Sequence, residues 1–258
     1  MKKQYEIIYG IQTIYELIKY KYDIIYEIYI LSEDMESFKH QYIIDILRKR
    51  KINIFYVNKI KILKILKKDV VNINEINHQN IIAIIKKEIF LSLDALLKKI
   101  KEEIRLNKEK EITLLMLNKI KDPQNLGSII RSSSCFNVMS IILLSKNSVK
   151  LTSAVKKISC GASFAMSLTM VNNLSNAIIK LKELKFSIIG LTEKGSVNIK
   201  NLKTNRLKLI LLGNEKNGIN NILLKQCDYK AKILIKKNIS SLNVAIAAAI
   251  ALYELSFN

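Results

Sequence analysis

The chain has 258 residues, 49% hydrophobic and 25% charged, which suits one or two ordinary folded domains and excludes general disorder. Its longest uncharged apolar run, Val244 to Tyr253, falls far short of the ~20 residues of a membrane-spanning helix. Lys and Arg number 43 against 22 Asp and Glu, a net charge of +21 with a pI near 9.7, and this balance points to nucleic acid or another polyanion as partner.

Only five of those 43 bases are arginine, and an A/T-biased genome would produce the same excess of Lys, Ile and Asn. Residues 1–110 hold 22 bases and 15 acids and residues 111–258 hold 21 and 7, so the acid-poor half is the second. Glu6 and Glu16 break the apolar stretch behind Lys2 and Lys3, which argues against a secretory leader. Cys135, Cys160 and Cys227 are odd in number and scattered, giving neither a disulfide framework nor a zinc site. A soluble, cytoplasmic protein is expected.

In chain order, Gly10 to Lys19 carries a helical face of Ile11, Ile14, Tyr15 and Ile18, and the β-branched run Ile24 to Leu31 predicts a strand. Ser32 offers an N-cap for a helix reaching Lys49, and Ile52 to Val57 and Ile81 to Ile85 predict further strands. Residues 1–88 thus form a small α/β domain. The charge-rich stretch 89–110 predicts a solvated helix or linker and a domain boundary. From Ile112 the alternation sharpens. Strands are expected at Ile112–Leu117, Val138–Leu144, Ala165–Met170, Phe186–Leu191, Leu207–Leu212 and Ala231–Ile235, with helices between them and a last one from Leu242 to Leu255. Apolar strands joined through helices imply a mostly parallel sheet covered on both faces, with ligands in the loops beyond the strands' carboxyl ends.

Three such loops stand out. After Ile112–Leu117 comes Asp122-Pro-Gln-Asn125-Leu-Gly127 and then Arg131, where Pro123 marks a helix start, Asn125 is a candidate cap, and the helix N-terminus suits an anion. After Leu207–Leu212 comes Gly213-Asn-Glu215-Lys-Asn-Gly218, whose glycines permit close backbone approach but form neither a Walker loop nor GxGxxG. After the last strand, Ser240 or Ser241 offers an N-cap, and Asn243 opens an apolar helix and needs a partner. Each loop alone is equally an ordinary capped or tight turn.

As a set, Asp122-Pro-x-Asn125-x-Gly127-x3-Arg131, Leu212-Gly213-x-Glu215-x2-Gly218 and Ser241-Leu242-Asn243 resemble the three motifs of the SpoU (TrmH-like) branch of the SPOUT methyltransferases. Ile8-Tyr9-Gly10-Ile11, His78-Gln79 and Ala154 to Ala162 are similar to the bacterial 23S rRNA guanosine 2'-O-methyltransferases within it. The resemblance implies a ribosomal-protein-like RNA-binding domain at 1–88, a linker at 89–110, and a knotted, dimerising SPOUT domain at 111–258. It further implies metal-free methyl transfer from S-adenosylmethionine to a guanosine ribose of 23S rRNA. The cofactor would lie against Gly213, Ile233 and Leu242, and the reaction centre would comprise Asn125, Arg131, Glu215, Ser241 and Asn243.

Departures from the family pattern are Asn118 and Lys119 for an acid and a glycine, Leu234 for a proline, Lys237 for a glycine, Ala245 for a serine, Gln12 for a histidine, and Asn80 after His-Gln. Those at Leu234 and Lys237 would loosen a cofactor pocket. A tRNA substrate, or an RNA-binding relative without catalysis, are the alternatives. A nicotinamide enzyme is disfavoured because no GxGxxG follows a strand.

Overall fold

A computed structural model describes residues 5–34, 38–67, 76–88, 90–146, 148–214, 216–236 and 241–256. Glu215, Lys237 and Ser240, all named above, lie outside the described residues. The chain divides into two compact units, residues 1–89 with 151–165, and residues 90–150 with 166–258. No helix among the described residues is long and apolar enough to cross a membrane.

The first unit is built on a four-stranded sheet, in the order β1 (Tyr5–Tyr9), β4 (Ile81–Lys86), β2 (Ile25–Leu31), β3 (Asn53–Val57). β4 runs antiparallel to β1 and β2, and β2 runs parallel to β3. Residues at alternate positions share a face. Ile8, Ile28, Ile30, Ala83 and Ile85 therefore form one buried layer with Ile14, Leu17 and Ile18 of α1 (Ile11–Lys21) and Ile43, Ile44 and Leu47 of α2 (Phe38–Lys49). Ile7, Tyr9, Leu31 and Ile82 form the other, under Ile62, Ile65 and Leu66 of α3 (Lys59–Leu66). β1 and α3 had no counterpart in the expected elements. Ser32 begins a short 3-10 turn, Ser32–Asp34, ahead of α2.

Residues 151–165, expected to continue the C-terminal domain, group with this first unit. Within it, α6 (Ser153–Ile158) packs on β1, and α7 (Ala162–Ala165) packs on α1. Lys156 is 0% exposed; its ammonium lies 2.8 Å from Glu6 and 2.7 Å from Glu88, 5.1 Å from the centre of the Phe164 ring. Lys21 also pairs with Glu88. Nearby, Gly10 adopts φ 96, and a side chain there would press on Gln79 Oε1 at 3.1 Å and touch Lys157 Cε at 3.5 Å. Gln79 Oε1 accepts from Ile11 N, and Lys157 donates to the Asn77 carbonyl. The His78 imidazole is held below its usual pKa, first by burial and then by Lys157 and Lys59. Ile8–Ile11, His78-Gln79 and 154–162, far apart in sequence, thus meet in one place.

The second unit has a seven-stranded sheet ordered β7 (Ser167–Val171), β6 (Ser140–Leu144), β5 (Ile112–Leu117), β10 (Leu207–Leu212), β8 (Ser187–Leu191), β11 (Tyr229–Lys232), β9 (Val197–Asn198), with every pair parallel. The expected mixed α/β architecture with a mostly parallel C-terminal sheet is observed. α5 (Pro123–Cys135), α8 (Leu174–Glu183), α9 (Asn221–Gln226) and α10 (Val244–Ser256) connect and follow these strands. Three expectations shift. The strand expected at Ala165–Met170 is Ser167–Val171, with Ala165 closing α7. The last long strand ends at Lys232 rather than Ile235. The charged stretch 89–110 holds α4 (Leu93–Leu106), capped by Ser92, whose Leu96 and Ile100 are fully buried in the main core with Leu93, Leu97 and Ile104 against it. Its charges mark only the solvent side of an amphipathic helix.

Lys156 gives a testable consequence. Removing it leaves two largely buried carboxylates facing each other, a change of the kind that costs about 3–5 kcal/mol. Lys156→Met should therefore lower the urea midpoint of the first unit, whereas Lys157→Met, at a less buried position, should lower it much less. Equal midpoints for the two variants would contradict the network's role.

Candidate active site

β5 and β10 lie side by side at the centre of the parallel sheet, with Leu117 paired to Leu212, so the first two loops leave it at adjacent points. Asn118 N donates to the Leu212 carbonyl at 2.9 Å, extending the pairing one residue into the loops. Lys119 then takes φ 61. This left-handed conformation costs a lysine roughly 1–2 kcal/mol relative to a right-handed one, and would suit a glycine. Asn214 Nδ2 donates to the Lys119 carbonyl at 2.8 Å and ties the second loop to the first. Asn214 Oδ1 also accepts from Lys216 N at 2.8 Å, and its backbone exchanges hydrogen bonds with Gly218. Asn214 was not among the expected site residues; its only signal in the sequence is an asparagine beside a turn glycine.

The second loop closes on itself. A Cβ on Gly213 would stand 2.2 Å from the Gly218 carbonyl carbon, so Gly213 is required by the turn's own backbone rather than by a flat ligand. Gly218, at φ 62, has open space where its side chain would be.

In the first loop the helix cap is Asp122, whose Oδ1 accepts from Gln124 N at 3.0 Å, with Pro123 as the first helical residue. Asn125, expected as the cap, lies inside α5, 7% exposed. Its Oδ1 accepts from Asn243 Nδ2 at 2.9 Å. Asn243 in turn caps α10, its Oδ1 accepting from Ala245 N at 2.8 Å and Ile246 N at 3.4 Å. That is the role Ser240 or Ser241 was expected to fill; Ser241 is exposed, and Leu242 half-buried. α10 lies along α5 and against β10, and the buried Lys208 of β10 donates to the Leu255 carbonyl at 2.6 Å, near the helix's C-terminal end. A cation suits that end of the helix dipole.

Two concavities meet at Asn125. A cavity of about 600 Å³ is lined by Asn118, Lys119, Asp122, Asn125, Asn214 and Gly218, among others. A groove of about 440 Å³ runs between α5 and α10, past Gln124, Asn125, Ser128, Asn243, Ile246 and Ile250. The structure thus brings Asn125 and Asn243 together. Arg131 lines neither concavity; it is exposed, on the α5 stripe of Gln124 and Ser128 one turn further on. Gly213, Ile233 and Leu242 line neither of them. Ile233 is half-buried just past β11, followed by Leu234 and Ile235, which are 65% and 39% exposed. The Asn118 Oδ1, buried in the cavity wall, has no hydrogen-bond partner among the described residues.

The SpoU rRNA methylase family model matches residues 112–253, more than half of the chain. The chain belongs to that family. A second model, for RNA 2'-O ribose methyltransferase substrate binding, matches residues 7–90. A Staphylococcus aureus (strain COL) protein assigned to the TrmH family of tRNA/rRNA methyltransferases is 32% identical over 166 residues, 64% of this chain and 65% of that protein. The match therefore spans slightly under two thirds of the relative's length. The 23S rRNA (guanosine-2'-O-)-methyltransferase RlmB of Coxiella burnetii is 33% identical over 148 residues, 57% of this chain and 59% of that one. In fold, the chain is similar to the SpoU methyltransferase AviRb from Streptomyces viridochromogenes, solved in complex with AdoMet, with a TM-score of 0.77 at 18% identity over 98% of this chain and 89% of that chain.

Asn243 joins a helix cap, worth about 0.5–2 kcal/mol, to a bridging hydrogen bond, worth about 0.5–1.5 kcal/mol. Asn243→Ala should lose both and Asn243→Ser only the second, because serine caps but is too short to reach Asn125. Urea denaturation that ranks serine no better than alanine would contradict this division.

Proposed function

We propose that this chain transfers a methyl group from S-adenosylmethionine to the 2'-hydroxyl of a guanosine ribose in 23S rRNA. The observation that carries the reading is the meeting of Asn125 and Asn243 where the cavity and the groove join, in a chain of the SpoU family. The match to RlmB of Coxiella burnetii supports ribosomal RNA, and the substrate-binding match over residues 7–90 supports a separate RNA-binding unit.

The residues present fit the cofactor. Exposed Leu234 and Ile235 past β11 suit a purine face, and the unpartnered Asn118 Oδ1 suits a ligand N–H or O–H. Gly213, Ile233 and Leu242, on loops at the sheet's carboxyl edge, would hold it. When bound, the cofactor supplies a methyl on a positively charged sulfur, open to in-line displacement.

Asn125, Ser241 and Asn243 would orient the ribose so that its oxygen lines up with that methyl, and such alignment supplies much of the rate in a proximity-driven transfer. Negative charge gathering on the ribose oxygen calls for a fixed cation, and Arg131 would supply it. An arginine side chain, with a pKa above about 12, is a poor proton acceptor. The hydroxyl proton therefore goes to Glu215 or to solvent.

A homodimer belongs to the same reading. α10 buries Ala245, Ala248, Ala251 and Leu252 yet exposes Ile246 (53%) and Tyr253 (58%), an apolar stripe bordering the α5 groove. A second copy can cover such a stripe in an isologous contact. Light scattering at micromolar concentration should give twice 29.6 kDa; a monomer mass would overturn the dimer, and Ile246→Glu should shift the protein toward monomer.

The activity is tested by mapping 2'-O-methyl groups on 23S rRNA and tRNA from cells with and without the gene, expecting one lost guanosine methylation in 23S rRNA. A loss confined to tRNA would overturn the substrate. With purified protein, Arg131→Ala should slow transfer by ~10²–10³ at unchanged cofactor affinity. Arg131→Lys should recover little, because a point charge lacks the planar guanidinium's geometry. Transfer at the parental rate in Arg131→Ala would make Arg131 a surface residue only.

A further inference from the structure

We infer that one end of the first unit is a stacking surface for unpaired RNA bases, an inference that rests on the proposed RNA substrate and adds where and in what form the strand is held. The sheet topology creates that end. β1, β2 and β3 all start there and β4 finishes there, as the pairings Tyr5 with Lys86, Ile25 with Ile85, and Glu27 with Asn53 require.

The apolar side chains exposed at this end are aromatic. Tyr5 (50%) and Tyr26 (45%) belong to the sheet; Tyr20 (46%) and Tyr22 (46%) sit at the end of α1 and in the turn that leads into β2. Tyr5 lies on the α3 face of the sheet, at the opposite end of β1 from Tyr9, which packs in the α3 layer. Tyr5 meets the edge of Tyr26, with ring centres 4.9 Å apart. Flat rings held in place with open faces are what base stacking needs, and stacking accepts any base.

Cations are interleaved with these rings. The Arg50 guanidinium lies 3.9 Å from the centre of the Tyr22 ring, and Lys19 lies 4.9 Å from that of Tyr20. Lys49, Lys51 and Lys86 are exposed at the same end, by their places at the close of α2, before β3 and at the close of β4. Of the nearby acids, Glu27 accepts from Tyr29 and Glu88 pairs with Lys21 and Lys156, while Asp23 is exposed. The charge therefore favours a polyanion, and rings among cations favour a single strand over a duplex, whose bases are already stacked.

The test uses the full chain and a fluorescein-labelled RNA 12-mer, single-stranded or annealed to its complement, with affinity read by anisotropy. Loss of one stacked base corresponds to about 5- to 150-fold in affinity. Tyr5→Ala with Tyr26→Ala should weaken single-strand binding by at least about fivefold, leave the duplex nearly unchanged, and leave the salt slope unchanged. Tyr26→Phe should bind as the parent does. Arg50→Ala should instead lower the salt slope by about one unit. Because the chain has no tryptophan, quenching of tyrosine emission by the single strand gives a second reading, expected to shrink in Tyr26→Ala. Unchanged single-strand affinity in the double variant, or equal weakening for strand and duplex, would overturn the inference. Parental protein that binds the strand but methylates no RNA would instead count against the transferase reading, so the two failures are distinguishable.

Discussion

The hydrogen bond from Asn243 to Asn125 is the constraint on which the geometry of the second unit's candidate site depends. It joins residues 118 positions apart and fixes the start of α10 against the first turn of α5. One amide does both jobs: its oxygen caps α10 while its nitrogen reaches α5. Asn214 does the same for the loops after β5 and β10, capping its own turn and holding the Lys119 carbonyl. Loops at the edge of a parallel sheet lack the sheet's ladder, so they take a defined shape only through such side-chain bonds.

Lys156 is the counterpart in the first unit. Its segment leaves the chain between β6 and β7, where a parallel crossover ordinarily lays a helix on its own sheet. Here residues 151–165 belong instead to the other unit, so the chain passes between the units at 89/90, 150/151 and 165/166. A buried ion pair is weak evidence for stability, because desolvation offsets much of the attraction. What the pairing with Glu6 and Glu88 supplies is register: the ammonium fits where two carboxylates converge, and a segment shifted by one residue would offer Val155 or Lys157 to them instead.

Legibility in the sequence followed burial. β5 and β10 match their expected bounds because each is an almost wholly buried apolar run ended by a polar loop. α3, Lys-Ile-Lys-Ile-Leu-Lys-Ile-Leu, mixes a strand-like alternation with the helical spacing of Ile62, Ile65 and Leu66, and only tertiary packing decides between them. In α4 the crowd of charges concealed the Leu93, Leu96, Leu97, Ile100 stripe. Of the site, the order of the three loops was readable and the internal economy of each was not. Asp122, Asn125, Ser241 and Asn243 are all plausible caps by composition, and which of them caps is settled by which others have partners across the fold. The segment Ala154 to Ala162 was legible by resemblance, but nothing in it marked Lys156 as buried, since a lysine beside a second lysine reads as a solvated surface.

The departures at Asn118 and Lys119 acquire a physical meaning from this geometry. A glycine at 119 would enter φ 61 without strain; lysine is held there because its carbonyl is an anchor for Asn214. The asparagine at 118 leaves an acceptor buried in the cavity wall, where the family's acid would place a negative charge. The principal links between the loops are thus amides, Asn125, Asn214 and Asn243, which neither gain nor lose a proton in the physiological range. Loops fastened in this way keep their shape as pH changes, and a site built on them can leave charge to the groups that meet the substrate.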